Sequence, residues 1–298
     1  MSDESPEVFH SSSTPSLCSN RPTHHSELIT HDSSLKMLES VLPYMRCPQC
    51  ASTRLTLRAE GMGCEACDAW YPLREGILDL IGEAPDEIIT PFQRIMQASA
   101  VVAIYERLWR PVGYYIASSR RFSDEIRAVL KLLRAADRCR ILDLACGTGV
   151  FTRPLAQLAT GLVVGFDLSW PMLRRAQALA ELEGHRNILF MRGTVFRLPF
   201  IGGAFPAVSC CGALHLFDRS DLALGEMERV LGSEGHLAIQ TTIRPSRSMG
   251  VARIMEKLIR FGFFDERELL EKLRLHRLKI LEGERHRISY TVLTRHVS

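Results

Sequence analysis

The stretch Ile141-Leu142-Asp143-Leu144-Ala145-Cys146-Gly147-Thr148-Gly149 leaves a chain few ways to fold. Its start is a short apolar run of the kind that forms a buried parallel strand, covered by helices on both faces. The glycines come just where a helical pattern begins, from Phe151 onward. Strand, glycine turn and helix together make a ligand-binding arrangement. Gly147 and Gly149 strip side chains from the turn, so the backbone can approach a ligand at the carboxyl end of the strand, where open α/β sheets bind their ligands.

A second apolar strand, Leu162-Val163-Val164-Gly165-Phe166, ends in Asp167. A carboxylate at that tip is placed to accept both hydroxyls of a ribose. The pattern is Gly-x-Gly with no third glycine in dinucleotide register, so no pyrophosphate is called for. Residues 142–149, with Gly165-Phe166-Asp167-Leu168-Ser169 and Met172-Leu173, closely resemble the class I S-adenosylmethionine-dependent methyltransferases, from about Ile141 to the C-terminus. The resemblance implies an α/β fold with a seven-stranded, doubly wound Rossmann-like sheet. It also implies that S-adenosyl-L-methionine is held by Asp143, Ala145, Gly147, Gly149, Asp167 and Leu168, with Thr194 and Val195 beside the adenine.

Three positions depart from the family pattern. Thr194 stands where an aspartate usually accepts from the adenine amino group; its hydroxyl can still accept one hydrogen bond, more weakly than a carboxylate. Pro206 replaces an acidic residue before the fourth strand, and Gly232-Ser233-Glu234-Gly235 replaces a Pro-Gly-Gly turn before the fifth. The loop Gly212-Ala213-Leu214-His215-Leu216-Phe217 lies across the cofactor's reactive end in the family. His215 is therefore the candidate acid or base, or else a histidine that anchors its loop by hydrogen bonding.

Ahead of this core, Cys47-Pro48-Gln49-Cys50 is followed after 13 residues by Cys64-Glu65-Ala66-Cys67. Two such knuckles at this separation suit a tetrahedral four-thiolate Zn2+ site, closed and therefore structural. No signal peptide is recognisable at Met1-Ser2-Asp3-Glu4, which disfavours the alternative of disulfides in a secreted domain. The expected organisation is a disordered Ser-, Thr-, Pro- and His-rich tail over 1–36, a zinc ribbon over 37–85, a helical lid or linker over 86–136 and the methyltransferase domain over 137–298.

The words Pro91-Phe92 and Tyr105-Glu106-Arg107-Leu108-Trp109-Arg110 look like a family of plant plastid and bacterial methyltransferases, more than the zinc-containing enzymes that modify a ribosomal RNA guanine. Tyr105, Trp109, Tyr114 and Tyr115 are candidate substrate-pocket residues, or equally residues that pack the lid onto the core. A net charge of +3 over 298 residues is weak support for a polyanion binder, and no apolar run approaches the roughly 20 residues that span a bilayer. A cytoplasmic methyltransferase with a small-molecule hydroxyl, enol or carbon acceptor is expected. Methylation of rRNA or tRNA, with the ribbon as RNA-binding module, and a catalytically silent scaffold are the alternatives.

Overall fold

The computed structural model describes residues 31–81, 102, 106, 110–133, 140–245 and 262–297. The N-terminal tail to residue 30, Tyr105 and Trp109 lie outside the described residues.

Among the described residues, eleven strands are joined edge to edge in the order β1-β2-β3-β4-β7-β6-β5-β8-β9-β11-β10. The first four are β1 (Leu55–Arg58), β2 (Gly61–Cys64), β3 (Trp70–Arg74) and β4 (Ile77–Asp79). The central five are β5 (Arg140–Leu144), β6 (Leu162–Asp167), β7 (Ile188–Arg192), β8 (Phe205–Cys211) and β9 (Leu231–Thr242), all parallel to one another. The antiparallel pair β10 (Leu278–His286) and β11 (Ser289–His296) closes the far side, with β11 inserted beside β9. All five residues of β5 are buried, as a central strand of a parallel sheet requires. The strand order reverses at β5, which pairs with β6 on one side and β8 on the other, so the ligand crevice opens above its carboxyl end.

Helices cover both faces. Beneath one lie α3 (Phe122–Leu133), α4 (Thr152–Leu158) and α5 (Trp170–Leu182), burying Val129, Leu133, Leu155, Leu173 and Ala176 in one cluster. The other face carries α1 (His31–Val41), α6 (Ser220–Val230) and α7 (Glu266–Leu275), which bury Leu38, Val41, Leu224, Met227, Leu269 and Leu273. Ser169 caps α5, accepting from Met172 N at 3.4 Å, with Pro171 in the first turn.

Two features differ from the sequence reading. The tail assigned to 1–36 ends earlier, because α1 begins at His31; Ser34, Leu38 and Val41 recur at helical spacing and are buried, while Lys36 and Glu39 stay outward. α1 packs beside β7 on that face. The sheet also exceeds seven strands. β3 and β4 form a tight hairpin at Glu75 and Gly76, whose φ of +52° and +77° suit a two-residue turn, and β4 then pairs in parallel with β7 through Leu78–Met191 and Asp79–Arg192. The cysteine ribbon therefore continues the core sheet. The segment before its first cysteine is bound to the core as well, since Arg46 N donates to Pro199 O and Ile201 N to Tyr44 O, each at 2.9 Å.

Pro206 sits where the β8–β9 register shifts, between Phe205 opposite Leu231 and Ala207 opposite His236. On the other side of β8, pairing with β5 starts only at Ala207. The missing proline N–H therefore falls at a bulge, where no ladder bond is lost.

Candidate functional site

The turn after β5 has positive φ at Ala145 (+52°), Gly147 (+56°) and Gly149 (+78°). A Cβ at Gly147 would meet no atom within 4 Å, so this glycine serves the backbone conformation and leaves open space beside it. A Cβ at Gly149 would stand 3.3 Å from the Ala176 Cβ, which sets how closely α5 approaches the turn.

Asp167, at the tip of β6, binds the same turn. Its Oδ2 accepts from Gly147 N and its Oδ1 from Ser169 N, both at 2.8 Å, while burial raises its pKa. Asp143 is fully enclosed and accepts from Thr152 Oγ1 and Ser209 Oγ, each at 2.6 Å; burial pushes its carboxyl up to about 6. Asp143 thus ties β5 to α4 and β8 beneath the cavity that it helps to line with Ala145, Gly147, Cys211 and Gly212. Leu168 offers its carbonyl to Arg192 Nε at 3.1 Å. Thr194 Oγ1 accepts from Phe196 N at 3.2 Å, shaping the loop beside Val195, which is buried.

Of the pocket candidates, Tyr114 is buried on α2 (Arg110–Ser118), its ring edge-on to Phe122 with centroids 5.7 Å apart. Tyr115 is 60% exposed and is not brought to the cavity. His215 lies in a one-turn 3-10 helix, buried, with Nδ1 3.4 Å from Thr241 Oγ1 and its carbonyl accepting from Gly262 N at 3.2 Å. Burial, with the Arg110 charge adding to it, lowers its pKa to about 3, so the imidazole is neutral across the physiological range and far from the basicity that a base working near pH 7 needs.

Two residues that sequence reasoning passed over are built into the site. Glu106 accepts from Thr148 Oγ1 at 2.6 Å and pairs with Arg153 through contacts of 2.9 and 3.1 Å, fastening residue 106 to the glycine turn. Arg110 lines the cavity, its guanidinium 5.2 Å from the Phe122 ring centroid and 5.8 Å from that of Phe151. A Cβ at Gly212 would fall 2.2 Å from Arg110 Nη1, so the guanidinium occupies space that only glycine leaves open. Both residues stand in a word quoted for its family likeness, where no local pattern marks a charged residue as inward-facing.

The four ribbon sulfurs converge. Cys47 and Cys67 Sγ are 3.7 Å apart, Cys50 and Cys64 Sγ 3.6 Å, and all four lie within 4.8 Å of one another. Tetrahedral Zn–S bonds of about 2.3 Å put sulfurs about 3.8 Å apart, so the set fits that ion in donor type and in reach. Tyr71 Oη stands 3.2 Å from Cys47 Sγ, supplying an outer hydrogen bond. All four cysteines are free thiols.

The strand order of the core and the switch point above β5 are those of a Rossmann-like, doubly wound α/β sheet of the kind seen in methyltransferases. Residues 141–235 match the family model described as a methyltransferase domain. The chain is 29% identical to an uncharacterized chloroplastic methyltransferase of Arabidopsis thaliana over 197 residues, covering 63% of this chain and 56% of that protein. It is 41% identical to a demethylmenaquinone methyltransferase of Thermus thermophilus over 114 residues, 38% of this chain and 51% of the relative. The chain thus spans little more than half the length of these relatives. In fold it is similar to geranyl diphosphate C-methyltransferase of Streptomyces coelicolor, solved with S-adenosyl-L-homocysteine, at a TM-score of 0.52 and 17% identity, over 59% of this chain and 76% of the other.

Proposed function

We propose that this protein transfers a methyl group from S-adenosylmethionine to a hydroxyl, enol or carbon of a small-molecule acceptor. The observation that carries the reading is the Asp167 carboxylate bonded to Gly147 N across an open, positive-φ turn at the switch point of the sheet. In this reading Asp167 takes the ribose hydroxyls, Leu168, Thr194 and Val195 flank the adenine, and the Ala145–Gly147 backbone passes along the methionine portion. The cosubstrate supplies a methyl carbon already activated by its sulfonium. What remains for the chain is to hold a nucleophile in line, exclude water and accept a proton where the acceptor carries one.

A small-molecule acceptor is supported by the demethylmenaquinone named for the Thermus relative. His215 fits the role of loop anchor, through Thr241 and Gly262. The four thiolates of the ribbon are proposed to hold one structural Zn2+, because they leave no position open for a reacting ligand. Isothermal titration with S-adenosylmethionine and S-adenosylhomocysteine tests the reading: one site per chain is expected, and no binding of either overturns it.

A further inference from the structure

The cavity above β5 has a volume of about 30 Å³, where a single water needs roughly 10–15 Å³. It therefore takes one small polar group and excludes a nucleoside or an acceptor ring. Its wall carries a cation, Arg110, and an anion, Asp143. That pair is the complement of a zwitterion, the head of an α-amino acid with its neighbouring carboxylate and ammonium.

Arg110 is placed to present its guanidinium there. It is the first residue of α2, followed by Pro111, and helical side chains lean toward the N-terminus of their helix. The planar head is flanked by the Phe122 and Phe151 rings, 5.2 and 5.8 Å from their centroids, and rests over Gly212, where a Cβ would fall 2.2 Å from Nη1. A fork held on several sides loses little freedom when it meets a planar carboxylate. Gly147 ties this cavity to the proposed ribose ligand. It lines the cavity, its N–H donates to Asp167 Oδ2 at 2.8 Å, and a Cβ on it would meet nothing within 4 Å. Asp167 and Arg110 are thus joined across a single open residue of the turn.

We propose that Arg110 reads the α-carboxylate of the cosubstrate's amino-acid head, so that the site selects S-adenosylmethionine over adenine nucleosides that lack that group. The inference rests on the methyl-transfer reading above. Without the guanidinium, the cavity would set the incoming carboxylate beside Asp143 alone, one anion against another.

The test is calorimetric and uses the full chain with two ligands: S-adenosylhomocysteine, and its decarboxylated analogue, which keeps the nucleoside, the thioether and the amine. Wild type is expected to prefer S-adenosylhomocysteine by about thirtyfold or more, the scale on which a buried charge pair suffers when one partner is removed. Arg110→Met should lower the affinity for S-adenosylhomocysteine by about thirtyfold or more while weakening that for the analogue by no more than about threefold. Arg110→Lys, which keeps the charge and loses the fork, should fall between wild type and Arg110→Met. Failure of wild type to bind either ligand overturns the methyltransferase reading itself. Wild type that binds the analogue as tightly as S-adenosylhomocysteine, or more tightly, leaves that reading standing and overturns the role of Arg110. An Arg110→Met protein that keeps the wild-type preference overturns it too, as does one that loses both ligands in equal proportion, since the arginine then serves the fold and not the carboxylate.

Discussion

Arg192 Nη1 lies 3.3 and 3.2 Å from the two carboxylate oxygens of Asp79, joining the last strand of the cysteine ribbon to the third strand of the methyltransferase core. The same guanidinium donates through Nε to the carbonyl of Leu168, next to Asp167, the proposed ribose ligand. Leu80 N adds a backbone bond to Arg192 O at 2.9 Å. The ribbon and the proposed cofactor crevice thus share one arginine. Asp79 is buried and Arg192 only part-buried, so removing the carboxylate leaves a cation without its partner at a strand edge. Asp79→Ala is expected to lower stability by roughly 2–4 kcal/mol and to weaken S-adenosylhomocysteine binding, measured by chemical denaturation and by calorimetry.

Asp167→Ala removes the acceptor of both the Gly147 and Ser169 N–H groups as well as the proposed ribose contact. Calorimetry should show S-adenosylmethionine binding lost, while metal analysis finds the zinc content of wild type. Retained cofactor affinity would remove Asp167 from the ribose site.

Chelation of the four-thiolate site is expected to lower Tm and, because β4 pairs with β7 and the segment before Cys47 pairs with residues 199–201, to loosen cofactor binding as well. Metal content and the melting curve, followed together during titration with a chelator, check this. An unchanged melting curve after complete zinc release would sink the structural assignment.

His215 gives the acid limb of the stability curve its slope. Burial holds its folded pKa at about 3, below the unfolded value, so between pH 6.5 and 3 the unfolded chain binds a proton that the folded chain does not. Stability from this residue is therefore complete above pH 6.5 and is lost as pH falls toward 3, at up to about 1.4 kcal/mol per pH unit. His215→Asn should flatten that limb in denaturation curves measured at successive pH values; an unaltered slope would show that the imidazole is not held neutral.

Much of the fold was legible because its signals are local. The apolar run of β5, the glycines at 147 and 149, the Asp167 tip, the Ser169 cap and the two Cys-x-x-Cys knuckles each declare themselves within a few residues, through backbone sterics, burial or ligand spacing. The site was legible in part. The proposed cofactor residues Asp143, Ala145, Gly147, Gly149 and Asp167 cluster around one turn, whereas Tyr115 points outward although it follows a buried tyrosine, since adjacent helical residues face different directions.

By itself the sequence determined which segments are strands and helices, where the chain must turn and which cysteines converge, for these depend on periodicity, backbone freedom and short spacing. Only the tertiary structure decided that α1 covers the face beside β7, that β4 extends the core sheet, that Glu106 pairs with Arg153 beside the glycine turn, and that Arg110 lines the cavity above β5. Each of those outcomes depends on a partner far along the chain, such as Arg153 for Glu106, Gly212 for Arg110 and Met191 for Leu78. A charged residue on a helix reads as solvent-facing until the packing that buries it is known, because no local pattern records what lies across the core.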